Sequence, residues 1–337
     1  IVDAQQTRAL LDEATGLSAA HGVRCVDVEG GTVNRLRDAL APLPPAQAVG
    51  RAMRQVRKPG LAYTHGELIA RGVKAFGFNT TLAPVVDLAL PESAEVMGTR
   101  VPGTSAAEVV AYAREFLAGL SAQGVAGCGK HFPGLGGAAS DTHFLTPEIG
   151  RRWKDIWQED LLPYRTLHAE MPMVMMNHAA YPATPGKQRP ASASTFWTST
   201  VLRKRIGYRG LVLSDDLEMG GILKFLPVDE AAIEAIRAGS DMLLICHSPE
   251  LILRTYEALI AEGERSTAFR RLLLARAIRT VRMRAALYSH GAARALTAKQ
   301  FDALRGRIKG FSDVVAEQVS AADAATNARA QSPAETS

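Results

Sequence analysis

The chain has 337 residues, of which 47% are hydrophobic and 22% are charged, and its formal net charge is +5. This length can bury the core of one barrel-sized domain, and the composition is that of a globular protein. The basic residues form no runs or aromatic-flanked stripes, which argues against a nucleic-acid partner, and no apolar run could span a bilayer. Three widely spaced cysteines exclude a disulfide scaffold and favour a reducing compartment, so we expect a cytoplasmic protein.

The chain begins at Ile1 without a methionine, so we expect it to be short at its N-terminus. An upstream targeting signal and the oligomeric state are therefore left open. The sequence contains no cofactor-binding motif, and we expect no cofactor.

Short apolar segments alternate with amphipathic helical segments, the pattern of βαβ units around a parallel sheet. Asp3 is positioned to cap a first helix over residues 4–20, and Ser105 with Glu108 forms a capping box. The predicted strands cover residues 23–28, 78–87, 125–131, 172–178, 210–215 and 241–247. The predicted helices between and after them cover residues 62–75, 105–122, 152–169, 194–206, 228–238 and 249–262.

Each predicted strand ends in a polar residue or runs into one. In (β/α)8 TIM-type barrels the loops after the strands carry the active site, so this pattern favours that α/β fold. A Rossmann-type sheet is disfavoured because no G-x-G-x-x-G motif follows the first strand. Only six of the eight strands are evident, so we predict a barrel that lacks its first two strands and has an open gap between its terminal strands.

The C-terminal part is predicted to be helical and then disordered. A Leu/Arg-rich helix over 264–288 closes the barrel domain (1–288), and a second helix over 297–318 forms an extension (289–318). Residues 319–337 have too little apolar surface to offset chain entropy, so we predict a disordered tail.

The densest group of chemically active residues lies at 130–143. Lys130 and His131 end a strand, where side chains alternate between faces, so both reach one site only if a bulge redirects one of them. After a glycine-rich stretch, Asp141 precedes His143 by two residues, and a carboxylate beside an imidazole can keep it able to shuttle protons. The alternative for this pair is a surface loop with a capping Asp and a solvated His.

A second candidate site lies at 211–219, where an apolar strand ends in two acids. Asp215 could be a nucleophile, a metal ligand or a general base. The alternative is a pair of helix caps, which suits Asp216 better than Asp215.

Further polar residues follow the other strands: Asp27 and Glu29 on one strand face, Asp87 at the end of another strand, and Arg100 in the loop after it. Such a mixture of donors and acceptors suits a polyhydroxylated substrate, although each acid could instead brace a neighbour or cap a helix.

Three further histidines have different expected roles. His178 is as consistent with a satisfied buried side chain as with a ligand. His247 suits a structural role, and His65 suits the surface.

These segments together resemble the bacterial β-N-acetylglucosaminidases of glycoside hydrolase family 3, the single-domain type linked to cell-wall recycling. The matching stretches, in the order of that family, are VDVEGGTVNRL, LAPVVDL, KHFPGLG with DTH, MVMMNHAAYP, LVLSDDLEM and AGSDMLLIC. The pattern K-H-F-P-G-x-G-x-x-x-x-D-x-H distinguishes this branch from the β-glucosidases of the family.

The resemblance implies a carbohydrate substrate and a retaining mechanism with a covalent glycosyl-enzyme intermediate. By it, Asp215 is the nucleophile, His143 is the acid/base and Asp141 is the partner of His143. The residues that match those binding the N-acetylglucosamine ring are Asp27, Arg35, Arg100, Lys130 and His131. Two positions depart from the family pattern: Thr32 replaces an Arg, and Leu135 replaces a His.

Several alternatives stay open at this stage. Lys130 could form a Schiff base in a lyase. A metal hydrolase could use His131, Asp141, His143 and Asp215, although no characteristic zinc-binding spacing supports it. A phosphorolytic or other β-glycosidase of the same family, and an inactive sugar-binding barrel fragment, also fit the sequence.

Overall fold

The computed structural model describes residues 1–17, 22–56, 59–138, 146–288 and 295–330. Its strands are β1 (Cys25–Val26), β2 (Val28–Gly30), β3 (Val33–Asn34), β4 (Thr80–Thr81), β5 (Ala126–Phe132), β6 (Met173–Met176), β7 (Leu211–Asp216) and β8 (Met242–Leu244). Six of them form one parallel sheet in the order β1-β4-β5-β6-β7-β8, and β2 pairs with β3 in an antiparallel hairpin.

Helices cover the outside of this sheet. The α-helices are α1 (Ala4–Gly16), α2 (Ala46–Val56), α3 (Leu61–Ala75), α4 (Ala94–Met97), α5 (Ala106–Ala122), α6 (Trp153–Asp155), α7 (Leu162–Leu167), α8 (Gly220–Leu223), α9 (Val228–Ala238), α10 (Pro249–Arg265), α11 (Thr267–Leu287) and α12 (Ala298–Ala330). Ile156–Asp160 and Phe196–Arg205 are π-helical, and Pro91–Ser93, Gly98–Arg100 and Ala191–Ala193 are 3-10 turns. Within the described ranges, none of these helices combines the length and apolar character that crossing a bilayer requires.

The sheet is a curled half-barrel, which confirms the predicted barrel-type fold with six parallel strands. Over the described residues, the edge strands β1 and β8 are not hydrogen-bonded to each other, so the predicted gap is present. Tyr288, directly after α11, is buried among the side chains inside the sheet, and its hydroxyl is hydrogen-bonded to that of Thr80. The end of α11 therefore fills the interior at the ends where the strands begin.

The local signals at the helix starts are confirmed. Asp3 accepts a hydrogen bond from the Gln6 amide at 2.8 Å, and Ser105 with Glu108 forms the predicted capping box. The strand predicted over 78–87 forms a continuous ladder only at Thr80–Thr81, and a separate bridge joins Val85 to Lys130. Pro84, which lies between these two pairings, has no amide hydrogen to donate.

Two elements near the site were not predicted. The hairpin of β2 and β3 turns at Gly30 and Gly31, whose φ angles of 97° and 60° suit glycine. In α2 the interior Gly50 weakens the helical pattern. The structure needs a glycine there, because a Cβ atom at Gly50 would lie 2.0 Å from the Pro102 carbonyl oxygen.

The prediction for the C-terminus was wrong over 319–330, where α12 continues as a helix to Ala330. This stretch is rich in alanine, the strongest helix former, so its low apolar content does not prevent helix formation. Residues 331–337 lie outside the described residues. The buried side chains of α12 join the main core: Leu304, Ile308, Phe311 and Val315.

Candidate active site

A cavity of about 730 Å³ opens where the strands of the parallel sheet end. The residues predicted from sequence that line it are Asp27, Arg35, Arg100, Lys130, His131 and Asp215. Further lining residues include Glu29, Leu135, Asp216, Glu218, Cys246 and His247. The fold therefore brings together residues separated by more than 180 positions in the sequence.

Glu29 lies at the centre of the charged side chains on one wall of this cavity. Its carboxylate accepts two hydrogen bonds from Arg100, both 2.8 Å long, and lies 2.6 Å from the Lys130 ammonium. Lys130 also contacts Asp27 at 3.0 Å. We call these four residues, Asp27, Glu29, Arg100 and Lys130, the charged wall. The two cations and two anions neutralise one another, and their mutual attraction offsets the free-energy cost of removing these charges from water.

The protonation states of the charged wall follow from these contacts. Burial alone would raise the pKa of Glu29, but Lys130 and Arg100 lower it to about 2. Burial alone would lower the pKa of Lys130, but Asp27 and Glu29 raise it above its usual range. A Schiff-base lysine must lose its proton to attack a carbonyl, so this environment disfavours the lyase alternative.

His131 links Arg100 of the charged wall to Asp87, which lies in the segment after β4. Its Nδ1 is 2.7 Å from an oxygen of Asp87, which also accepts the His131 amide at 3.1 Å, and its Nε2 is 3.3 Å from Arg100. The other Asp87 oxygen accepts the Leu135 amide at 2.7 Å. Lys130 and His131 both line the cavity, at a place where the β5–β6 register shifts and the peptide between them is cis.

Asp215 lies opposite, near the end of β7, and is half-buried. One oxygen accepts the Asp216 amide at 2.9 Å. Asp216 does not cap a helix, because α8 begins only at Gly220; its side chain accepts the Glu218 amide at 3.1 Å in a local turn. Asp215 therefore lines the cavity from a strand that is paired on both sides, with β6 and with β8.

His178 supports this turn from below. Its Nε2 donates to the Asp216 carbonyl at 3.0 Å, and its Nδ1 accepts from the Ser192 hydroxyl at 2.7 Å. Burial lowers its pKa, so the ring is neutral. Of the two roles considered for His178, the structure shows the satisfied buried one.

The rim beyond Asp215 depends on Glu218. Its carboxylate accepts the amides of Cys246 at 2.7 Å, His247 at 2.6 Å and Ser248 at 3.0 Å. His247, which was predicted to be structural, is exposed at this rim, with Nδ1 3.4 Å from Asp216 and 3.5 Å from Glu218. These three side chains could hold a divalent metal, but the contacts observed for Glu218 are those of a loop anchor.

The remaining predicted residues have different outcomes. Arg35 lines the cavity with an exposed side chain, and its amide donates to the Asp27 carbonyl at 3.0 Å. Asp141 and His143 lie outside the described residues. His65, predicted at the surface, is completely buried behind the hairpin of β2 and β3.

The sequence places Glu29 and Asp87 at predicted strand ends but does not by itself predict them as site residues. Glu29 directly follows the predicted strand 23–28, and Asp87 ends the predicted strand 78–87. Both side chains are buried, with Glu29 3% and Asp87 2% exposed. Strand-end position was the available signal. Their hydrogen-bond partners, Arg100 and His131, lie 71 and 44 positions away in the sequence, so these contacts could be identified only in the folded chain.

A curled parallel sheet with its cavity at the carboxyl ends of the strands defines a TIM-barrel-type enzyme domain. The family described as Glycosyl hydrolase family 3 N terminal domain matches residues 5–277. The chain therefore belongs to glycoside hydrolase family 3.

Similar proteins carry related names. A beta-hexosaminidase of Methylococcus capsulatus is 38% identical over 237 residues, which cover 69% of each chain. A beta-hexosaminidase of Idiomarina loihiensis is 30% identical over 266 residues, which cover 79% of each chain.

Two solved structures are also similar. NagZ from Neisseria gonorrhoeae has a TM-score of 0.72 at 26% identity, with 92% of this chain and 87% of that chain covered. The glycoside hydrolase family 3 beta-N-acetylglucosaminidase from Paenibacillus sp. str. FPU-7 has a TM-score of 0.81 at 30% identity. The match covers 92% of this chain but only 60% of the Paenibacillus chain.

Proposed function

We propose that this protein is a retaining β-N-acetylglucosaminidase that hydrolyses terminal, non-reducing β-linked N-acetylglucosamine. The proposal is supported by the family, by the names of the relatives and by the cavity. The observation that carries it is that the Asp215 carboxylate lines the same cavity as Arg100, Lys130 and His131. A nucleophile thus faces a set of hydrogen-bonding groups suited to sugar hydroxyls.

In the first step an Asp215 oxygen attacks the anomeric carbon and the glycosidic bond breaks. His143 gives its proton to the departing oxygen and becomes neutral, and Asp141 holds its imidazole. In the second step neutral His143 takes a proton from water, whose oxygen displaces Asp215 and restores the original configuration. The roles of Asp141 and His143 come from the family resemblance.

The charged wall suits the binding of the sugar ring. Asp27 offers carboxylate acceptors, whereas Arg100, Lys130 and His131 offer donors. Glu29 holds Arg100 and Lys130 in fixed positions, so substrate does not have to immobilise these long side chains. Arg35, exposed at the rim, completes this proposed set.

We further propose that the substrate comes from peptidoglycan fragments and that the protein acts in the cytoplasm. The similarity to NagZ and three unpaired cysteines, Cys25, Cys128 and Cys246, support these two points. Water is the proposed acceptor, and phosphate is the alternative. Product analysis with and without added phosphate distinguishes N-acetylglucosamine from its 1-phosphate.

The decisive test compares Asp215→Asn with its neighbour Asp216→Asn, using an aryl β-N-acetylglucosaminide. We expect Asp215→Asn to lower kcat by at least about 10³-fold, because the amide cannot form the intermediate. Asp216→Asn should lose far less. A 5-fluoro glycosyl donor should label Asp215, and labelling of Asp216 would refute the assignment.

A second experiment tests the proton donor. His143→Gln should lose most activity on aryl groups that leave poorly and least on activated ones, because activated groups need no proton. Equal losses on both kinds of substrate would argue against His143 as the acid.

A further inference from the structure

The hairpin that carries Glu29 is held from behind by elements remote from the cavity. Gly30 follows Glu29 with a φ of 97°, and a Cβ atom there would lie 2.3 Å from the Pro44 carbonyl oxygen and 2.9 Å from Nε2 of His65. The Gly31 amide donates to the Leu43 carbonyl at 2.9 Å. The turn after Glu29 is therefore pressed against the 43–44 segment and the His65 ring.

His65 is itself fixed by aromatic neighbours. It is completely buried on α3, and its Nδ1 is hydrogen-bonded to the Tyr112 hydroxyl at 2.9 Å. Its ring stacks on Phe311 with centroids 5.9 Å apart and meets Phe116 edge-on at 5.5 Å. Nε2 faces Gly30 and the Pro44 carbonyl, so the ring lies directly behind the charged wall.

Phe311 belongs to α12, which also reaches the same hairpin by a second route. Arg305 of α12 donates to the carbonyls of Leu40 at 3.0 Å and Ala39 at 3.1 Å. These residues precede the 43–44 segment that contacts Gly30 and Gly31. Two sets of contacts from one helix thus converge on the turn after Glu29.

We propose that Phe311 and His65 are positioning residues: α12, through the stacked His65 ring, holds the Gly30 turn and thereby keeps Glu29 in place to orient Arg100 and Lys130. Substrate affinity then depends on a helix that does not line the cavity. This inference rests on the proposed function for its kinetic consequence, but its structural consequence can be measured without any sugar.

The test uses Phe311→Ala in the full chain, with Phe301→Ala as the matched control. Phe301 lies on the same helix and is half-buried, and it packs on Phe76 with centroids 5.9 Å apart rather than on His65. Its ring lies 4.9 Å from the Arg305 guanidinium, so this variant disturbs the Arg305 contacts and leaves the His65 stack in place. Phe311→Leu, which keeps apolar volume but removes the ring, covers the case in which the alanine variant does not fold.

Hydrogen exchange followed by mass spectrometry gives the sugar-free result. We expect peptides spanning residues 28–34 to exchange faster in Phe311→Ala and Phe311→Leu than in wild type. The Phe301→Ala variant, which keeps the His65 stack, should exchange more slowly in these peptides than either Phe311 variant. Unchanged exchange at 28–34 in both Phe311 variants overturns the inference.

Kinetics with an aryl β-N-acetylglucosaminide, and calorimetric binding of N-acetyl-D-glucosamine, give the functional result. We expect Phe311→Leu to raise KM and weaken binding roughly tenfold with a smaller change in kcat, because ground-state contacts are loosened. If Phe311→Leu and Phe301→Ala lower kcat equally and leave KM unchanged, a positioning role for Phe311 is contradicted. A wild-type chain that neither binds nor hydrolyses these sugars instead refutes the proposed function.

Discussion

The two ends of the parallel sheet each contain a cluster of buried charges, and the clusters differ in what surrounds them. At the carboxyl ends, the charged wall borders a cavity of about 730 Å³. At the opposite end, Asp241 precedes β8 with its side chain fully buried, and three arginines surround it: Arg203, Arg276 and Arg279. The first cluster leaves its charged groups open to a ligand. The charges of the second cluster pair with one another and hold α11 and the start of β7 to the start of β8.

The contacts of Asp241 show this joining role. Its carboxylate accepts the Val212 amide at 2.9 Å and pairs with Arg203, which also donates to the Gly210 carbonyl at 2.7 Å. Arg279 of α11 lies 3.6 Å from Asp241 and donates to the Arg209 carbonyl at 2.8 Å. Charge at the start of the strands therefore fastens α11 to β7 and β8, as expected for the stability face of a barrel.

The largest effect is expected at this lower cluster. Asp241→Asn leaves three arginines without their shared counter-charge, so the free energy of unfolding should fall by about 3–5 kcal/mol. The activity of the molecules that remain folded should stay within about twofold of wild type, because Asp241 does not line the cavity. Urea unfolding and active-site titration measure the two quantities. A large loss of specific activity would erase the distinction between the clusters.

The matched change in the charged wall is Glu29→Gln, which should act mainly on function. We expect kcat/KM to fall about 100-fold, or about 2.7 kcal/mol of transition-state stabilisation, because Arg100 and Lys130 lose their shared anchor. Lys130 keeps its contact with Asp27, so stability should fall less than in Asp241→Asn. If Glu29→Gln were the more destabilised but fully active variant, the roles of the two clusters would be reversed.

A smaller effect concerns acid stability behind the charged wall. Burial lowers the pKa of His65 to about 3, whereas an unfolded histidine takes up its proton near pH 6.5. Stability from this site is therefore fully present above pH 6.5 and is lost as the pH falls toward 3, by up to about 1.4 kcal/mol per pH unit. Unfolding free energies measured between pH 7 and 4, at intervals of about half a unit, should show a shallower slope in His65→Phe.

The control for that measurement is Phe116→Leu, which alters the packing around the His65 ring but removes no titratable group. It should leave the slope unchanged. An identical slope in His65→Phe and wild type would mean that another group governs the acid response.

The sequence predicted the fold well where the signal was local. Alternating apolar strands and amphipathic helices indicated six parallel strands, and the caps at Asp3 and Ser105 follow from neighbouring residues. It also indicated that Asp27, Arg100, Lys130, His131 and Asp215 gather at one end, because the ends of parallel strands meet there. The prediction of disorder was wrong over 319–330, because it relied on low apolar content and neglected the high helix propensity of alanine.

The burial of two histidines could not be predicted from the sequence. His65 lies in the predicted helix 62–75 and His247 ends the predicted strand 241–247, but the predicted surroundings of both were the reverse of what the structure contains. Burial of His65 depends on α12, more than 230 positions away in the sequence, and exposure of His247 depends on Glu218 fixing the loop after β8.

The sequence by itself determined the order of strands and helices, the family and the residue types that collect at the strand ends. Those features depend on local periodicity and on the fixed direction of a parallel sheet. Only the tertiary structure decided that Glu29 binds both cations, that Asp87 fastens His131 and that α12 supports the hairpin from behind. Each of these depends on charges and rings from distant segments meeting at hydrogen-bonding or stacking distance, which no local pattern encodes.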